Sequence, residues 1–160
     1  MTNTPDELAA HELRDRPVEA ARLYEIAISG GAATVDDYVN LTVICVASQD
    51  PGYAAKHSLS REFCSNAFDK VVKIAAMFAG QNAEVEFWSE YMDYIALGEL
   101  PNEKRWQQML SDGQSNVPAI YFAAVSDDTM IEEAKRRLSK EVLDGKTIRE
   151  RYIQSFLPRR

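Results

Sequence analysis

The feature that most constrains this chain is that it repeats itself. Residues 21–51 align without a gap on residues 71–101, an offset of 50. Tyr24 meets Ile74, Ile28 meets Phe78, Gly30 meets Gly80, Val35 meets Val85, Asp36 meets Glu86, Tyr38 meets Trp88, Leu41 meets Tyr91 and Pro51 meets Pro101. Each copy reads as a helix, a glycine turn, a second helix opened by an acid, and a proline stop. A fainter third copy places Ile120, Ile131, Glu132 and Leu138 at an offset of 46 from the second. Self-similarity over tens of residues marks stacked helical hairpins, because one hairpin cannot bury both faces of its second helix. Each large apolar side chain left uncovered forfeits roughly 1.5–3 kcal/mol, and the next hairpin recovers it. The repeat predicts an all-α, single-domain chain over residues 1–160. Its units lie at about 17–51, 67–101 and 117–145, with capping helices at both ends.

Local signals place the helices. Thr4-Pro5-Asp6-Glu7 reads as a capping box ahead of a short polar helix, and Pro17 opens the next one. Ala20, Leu23, Tyr24, Ala27 and Ile28 form its apolar stripe, and Gly30-Gly31 stops it. Thr34 caps a third helix, with Asp36 and Asp37 at its positive end. Val35, Tyr38, Leu41 and Cys45 make one apolar stripe of that helix and Val39, Val43 and Val46 another, which predicts burial between neighbours. The segment from Pro51 to Ala79 reads as one long helix or as two with a break near Ser58–Ser60. Further helices follow from about Glu84 to Leu97, Pro101 to Leu110 and Pro118 to Val125. Asp127 or Asp128 caps the next, and Thr147 to Glu150 forms a second capping box.

The second helices carry a resemblance. Val39, Val43, Val46 and Pro51 hold a spacing that Ser89, Asp93, Ala96 and Pro101 repeat. This is similar to the tetratricopeptide-repeat (TPR) family, whose second helix places a small residue, an aromatic, an alanine and a proline at those intervals. The first helix here offers Leu23, Ile26, Ala27 and Gly30 where the family has Trp, Leu, Gly and Tyr. The period is also longer than the family's, which is about 34 residues. The resemblance implies a short right-handed superhelix of stacked helix-turn-helix hairpins whose first helices line a groove. On this chain such a groove would present Arg22, Glu25 and Lys73, with Lys70 beside them.

A search for chemistry finds little. His11 and His57 are the only histidines, and neither has a second ligand at metal spacing. His11 sits among charged residues and is expected to face solvent. His57 near Ser58 and Ser60 is a faint hint of a nucleophile pair, without the surroundings of a triad. No phosphate-binding glycine loop is present, and no cofactor or metal is expected. Cys45 and Cys64 read as buried free thiols of a reducing compartment. Lys135, Arg136 and Arg137 form a basic ridge interleaved with Glu132 and Glu133, which reads as pairing along a wet helix. The tail Arg149, Arg151, Arg159 and Arg160 is a second basic stretch. Trp106, Tyr121 and Phe122 fit the core, with an exposed patch as the alternative.

Charge narrows the partners. The chain carries a net charge of −7, which argues against a general nucleic-acid binder. It is uneven: residues 1–100 hold 7 basic and 16 acidic residues, and residues 101–160 hold 11 and 9. That predicts an acidic end and a mildly basic end. No apolar run is long enough to span a bilayer and no signal peptide is visible, so a cytoplasmic location is expected. The favoured function is a non-catalytic module binding a protein or peptide partner. One alternative is an acidic inhibitor or immunity-type protein occluding a basic surface, through Asp36, Asp37, Glu86 and Glu90. The other is a self-assembling structural protein, a homo-oligomer. No enzyme is expected.

Overall fold

The third helix organises the molecule. Its sequence is apolar on nearly every side, and in the computed structural model Val39, Leu41, Thr42, Val43, Ile44, Cys45, Val46 and Ala47 are all buried. The structure describes residues 5–125, 128–142 and 144–157. Within them lie ten helices and no strand: α1 (Pro5–Leu13), α2 (Pro17–Ser29), α3 (Val35–Ala47), α4 (Pro51–Lys56), α5 (Arg61–Met77), α6 (Ala83–Leu97), α7 (Glu103–Ser111), α8 (Ala119–Val125), α9 (Asp128–Val142) and α10 (Ile148–Gln154). Helix α3 packs against α2, α5, α6 and α10. Its buried polar side chain is satisfied, since the Thr42 hydroxyl donates to the Tyr38 carbonyl at 2.7 Å. None of the helices is long and apolar enough to cross a membrane.

The caps act where the sequence puts them. Thr34 Oγ1 accepts from the Asp37 N–H at 3.2 Å and Asp37 answers the Thr34 N–H at 2.9 Å, a complete capping box. Ser60, Asn82 and Asn102 cap α5, α6 and α7, so the proline at 101 stands ahead of the helix and the asparagine starts it. The segment after Pro51 is two helices, parted by Ser58 in the left-handed region at φ 51°. At the start of α10, Thr147 accepts from the Glu150 N–H, while the Glu150 carboxylate reaches one residue further back, to the Lys146 N–H at 3.0 Å. The expected caps Thr4 and Asp127, and the tail residues Arg159 and Arg160, lie outside the described residues.

The two repeat copies share helix order but not geometry. In the first turn Gly31 takes the positive φ, 71°, while in the second it is Gly80, at 73°. The glycines that align, Gly30 and Gly80, therefore do different work. Helix α6 starts two residues earlier in its copy than α3 does, and the aligned Val35 and Val85 are 52% and 0% exposed. From Leu41 to Ala47 every residue of α3 is buried, whereas α6 keeps a polar face along its length.

The C-terminal helix closes the molecule. Helix α10 packs on α3 as well as on α9, and Ile148, Tyr152 and Ile153 are buried. A row of hairpins in which each touches its neighbours would leave these partners far apart. An aromatic seam runs through the same region: Phe87 meets Trp106 at 5.1 Å, Trp106 meets Tyr121 at 5.1 Å, and Tyr152 meets Phe156 at 5.2 Å. Trp106, Tyr121 and Phe122 are thus core residues, at 0%, 6% and 4% exposure.

Candidate functional site

Two regions hold side chains that the core does not use up. The first is the outer face of α2 and α5. Glu25 and Lys70 form an ion pair at 2.5 Å that bridges the two helices, each of which packs on α3. On α2, Val18, Arg22, Glu25 and Ser29 are spaced for one stripe, and on α5 Lys70, Lys73 and Met77 are. Arg22 and Lys73 are exposed, as are Val18 and Met77, at 45% and 56%. Of the four residues expected to line a groove, two are spent on each other and two, Arg22 and Lys73, are exposed cations without an ion pair among the described residues, beside apolar surface.

The acidic residues are engaged differently. Asp37 is committed to the α3 cap, while Asp36 is exposed. Glu86 and Glu90 both face Arg105, at 2.6 and 3.0 Å. Glu86 also accepts from the Gly80 N–H at 2.8 Å, and Glu90 from the Trp106 indole N–H at 2.7 Å. Glu84 takes the Trp88 indole N–H at 3.0 Å and two bonds from Arg149. Basic residues of the second stretch thus fasten onto acids of the first. The expected separation into an acidic and a basic end gives way to internal pairing, because the C-terminal helices fold back over the acidic hairpins. The basic ridge of α9 pairs as expected: Lys135, Arg136 and Arg137 reach Glu132 or Glu133 at 2.7–3.0 Å.

The second region is a polar knot where α1, α4 and α10 meet. Glu12, on a helix that reads as wet, is 3% exposed. It accepts a short bond from the Tyr24 hydroxyl and another from the Ile148 N–H at 2.6 Å. Arg151 donates to the Glu12 carbonyl and, at 2.9 Å, to that of Gly145. Burial pushes the Glu12 carboxyl above its usual range, against the bonds from Tyr24 and Ile148. Burial and the adjacent Glu12 push the Tyr24 phenol up as well. Alongside, His57 Nε2 lies 2.8 Å from Asp15 and Nδ1 lies 3.1 Å from the Tyr53 carbonyl. Both partners are acceptors, so only the imidazolium donates to both. Between α4 and α10 opens a cleft of about 270 Å³, lined by Asp15, Asp50, Tyr53, Lys56, Arg151, Tyr152 and others.

Neither region has the geometry of a nucleophile and base. His57 is turned to Asp15 and away from a serine role, and Ser60 is a helix cap. Cys45 is buried and burial pushes its thiol up to about 12, so it is a poor nucleophile. Cys64 is half-buried, not buried as expected, because it lies near the start of α5, ahead of the buried stripe Ala67, Val71 and Ile74. His11, expected in solvent, is half-buried with Nδ1 sealed, because α1 lies down on α2. No group of three or more His, Cys, Asp or Glu side chains poised to hold a metal occurs among the described residues.

The sequence gives no sign of Glu12, Asp15, Asp50 or Tyr152 as members of one site. Their partners are distant in the chain, Glu12 and Ile148 being 136 residues apart. A carboxylate at the helical spacing of Leu8, on the inward side of α1, is the one local hint. Compared with family models, curated proteins and solved structures, the chain matches none.

Proposed function

We propose that this chain is a non-catalytic binding module, a TPR-like scaffold that holds a protein or peptide segment on the outer face of α2 and α5. The observation that carries this reading is the Glu25–Lys70 pair, which bridges the first helices of both hairpins and leaves Arg22 and Lys73 exposed beside Val18 and Met77. Two exposed cations flanking apolar surface on an acidic protein suit an amphipathic segment with carboxylates at its polar positions. Glu86 and Glu90 share Arg105 and accept from the Gly80 and Trp106 N–H groups, so they have less to offer a basic partner.

A photo-crosslinking amino acid at Met77 tests the proposal in cells. The expected result is a discrete adduct that disappears with Arg22→Glu/Lys73→Glu and persists with Lys140→Glu on α9. An adduct indifferent to the charge reversal, or no adduct at all, overturns it.

A further inference from the structure

The contact between His57 and Asp15 joins two turns. Asp15 lies between α1 and α2, and His57 ends α4 ahead of α5. Each turn holds a residue in the left-handed region, Asp15 itself at φ 56° and Ser58 at φ 51°. Among the described residues no other non-glycine takes that conformation. A residue with a Cβ rarely does so, and keeps it where its surroundings hold it there. The closest tie between the two turns is one imidazole. His57 Nε2 lies 2.8 Å from Asp15 Oδ2, Nδ1 lies 3.1 Å from the Tyr53 carbonyl, and the side chain is 9% exposed.

An imidazolium donates at both nitrogens, whereas a neutral imidazole donates at one and turns a lone pair outward at the other. Loss of the proton therefore sets two acceptors against each other, at Asp15 or at the Tyr53 carbonyl, in a place with little water. The other groups around the ring do not replace that bond. On α4, Lys56 reaches Asp15 at 4.0 Å and is 73% exposed, and Tyr53 lays its ring on His57 at 4.2 Å, with its phenol held protonated by burial. From α10, Arg151 reaches Asp15 at 3.6 Å and so ties the turn to α10 and not to α4, while Tyr152 packs on the far side against Tyr53. Both cations oppose the imidazolium, yet each stands further from Asp15 than the ring does. From α1, the buried Glu12 is occupied by Tyr24 and Ile148, and His11 lends its carbonyl to the Arg16 N–H. Asp50, across the cleft, caps α4.

We infer that His57 and Asp15 form a proton-operated clasp, which holds the α1–α2 turn to the end of α4 at mildly acidic pH and loosens as pH rises. Histidine is the side chain whose charge ordinarily changes over about pH 5–8. The clasp stands just ahead of Pro17, which opens α2, and of Arg61, which opens α5, so the proton sets how firmly the head of the α2/α5 face is held. Its bearing on a partner rests on the reading of that face as a docking surface, whereas the clasp itself does not.

Native-state hydrogen exchange of the full chain without a partner, at about pH 5.5 and about pH 8 and corrected for intrinsic rates, tests the clasp. The reporters are the Arg16 amide, bonded to the His11 carbonyl at 3.0 Å, and the Leu59 amide, bonded to that of Ala54 at 2.9 Å. The expected result is a fall in their protection with rising pH that is about tenfold larger in the wild type than in His57→Gln, as loss of one charge-assisted hydrogen bond implies. The fall common to both belongs to Glu12, whose carboxyl burial holds above its usual range. His11→Gln keeps the wild-type fall. Equal falls in the wild type and His57→Gln overturn the inference, as does loss of the extra fall in His11→Gln. Should His57→Gln not fold, Asp15→Asn takes its place with the same two outcomes, since asparagine suits the left-handed turn and removes the charge. With no partner in the measurement, its failure leaves the docking reading standing, and failure of the Met77 adduct leaves the clasp standing.

Discussion

Arg149 grips Glu84 through two bonds, Nε to Oε2 at 2.7 Å and Nη2 to Oε1 at 2.8 Å, and so fastens α10 to the start of α6. Both side chains are mostly buried, at 15% and 17% exposure, and Arg149 reaches Glu141 as well at 2.9 Å. Burial opposes the arginine charge, and the two carboxylates outweigh it, so its pKa rises. Removing one member leaves the other charged and poorly solvated. Arg149→Ala is expected to cost about 2–4 kcal/mol, somewhat under the figure for a fully buried pair. Urea unfolding followed by tryptophan fluorescence checks this. A cost within a few tenths of a kcal/mol would show the pair to be a surface decoration.

The aligned valines give a direct test of the repeat. Val35 and Val85 match at the offset of 50, yet one is half in solvent and the other sealed. Val35→Ala is expected to change stability by less than about 0.5 kcal/mol, a surface value. Val85→Ala is expected to cost about 1–3 kcal/mol, from lost apolar contact and the cavity left behind. Equal effects would mean that the two hairpins pack alike after all.

What could be read in advance divides along sequence distance. Thr34 and Thr147 act on backbone groups a few residues ahead, so their roles follow from local chemistry, whereas Ser60 and Asn82, which the sequence places at a break and a helix end, are also caps. The burial of the second half of α3 is also local, since apolar residues on two sides of it leave little wet face to offer. The bonds of Glu84 to Arg149, 65 residues on, and of Glu12 to Ile148, 136 residues on, depend on how α10 returns. Helical periodicity carries no information about that return. It also assigns a lone carboxylate such as Glu12 to solvent, the lower-energy place for it unless a distant donor arrives. The candidate groove is legible as a face of two helices, whereas the cleft between α4 and α10 is made by the return itself.

The pH dependence of folding follows from Glu12. Its carboxyl is raised from 4.5 in the folded chain, chiefly by burial. Between 4.5 and that raised value the folded state holds a proton that the unfolded state has released. Stability from this group is therefore complete at low pH and declines as pH rises through the window. Glu12→Gln keeps an acceptor for Tyr24 or Ile148 and cannot ionise. Against the wild type, its urea midpoint should improve steadily from mildly acidic to neutral pH. A difference that stays flat over that range contradicts the assignment.

Thiol chemistry separates the two cysteines. Cys45 is 1% exposed and its thiol is pushed up to about 12 by burial, with Lys70 opposing and Glu25 adding to the shift. Cys64 is half-buried near the start of α5. A thiol reagent added to native protein should modify Cys64 first, and Cys45 only at the rate of unfolding. Peptide mapping of the labelled chain reads the order. Comparable rates for both in the absence of denaturant would place α3 nearer the surface than its packing indicates.

Truncation distinguishes a stack of hairpins from a closed assembly. A solenoid shortened by its last helix keeps its remaining units folded, because each unit rests on its neighbour. Here a chain ending at Lys146 loses Ile148, Tyr152 and Ile153 from the core, and also the bonds that α10 makes to Glu12 and Glu84. Three buried side chains of this size account for roughly 5–9 kcal/mol of apolar burial, comparable with the whole net stability of a domain. The loss also uncovers the face of α3 on which α10 packs, while α2, α5 and α6 still cover the rest. The truncated chain is expected to keep helical circular dichroism in part but to lose its cooperative thermal transition. If it melts as sharply as the full chain, α10 is an appendage and the hairpins stand on their own.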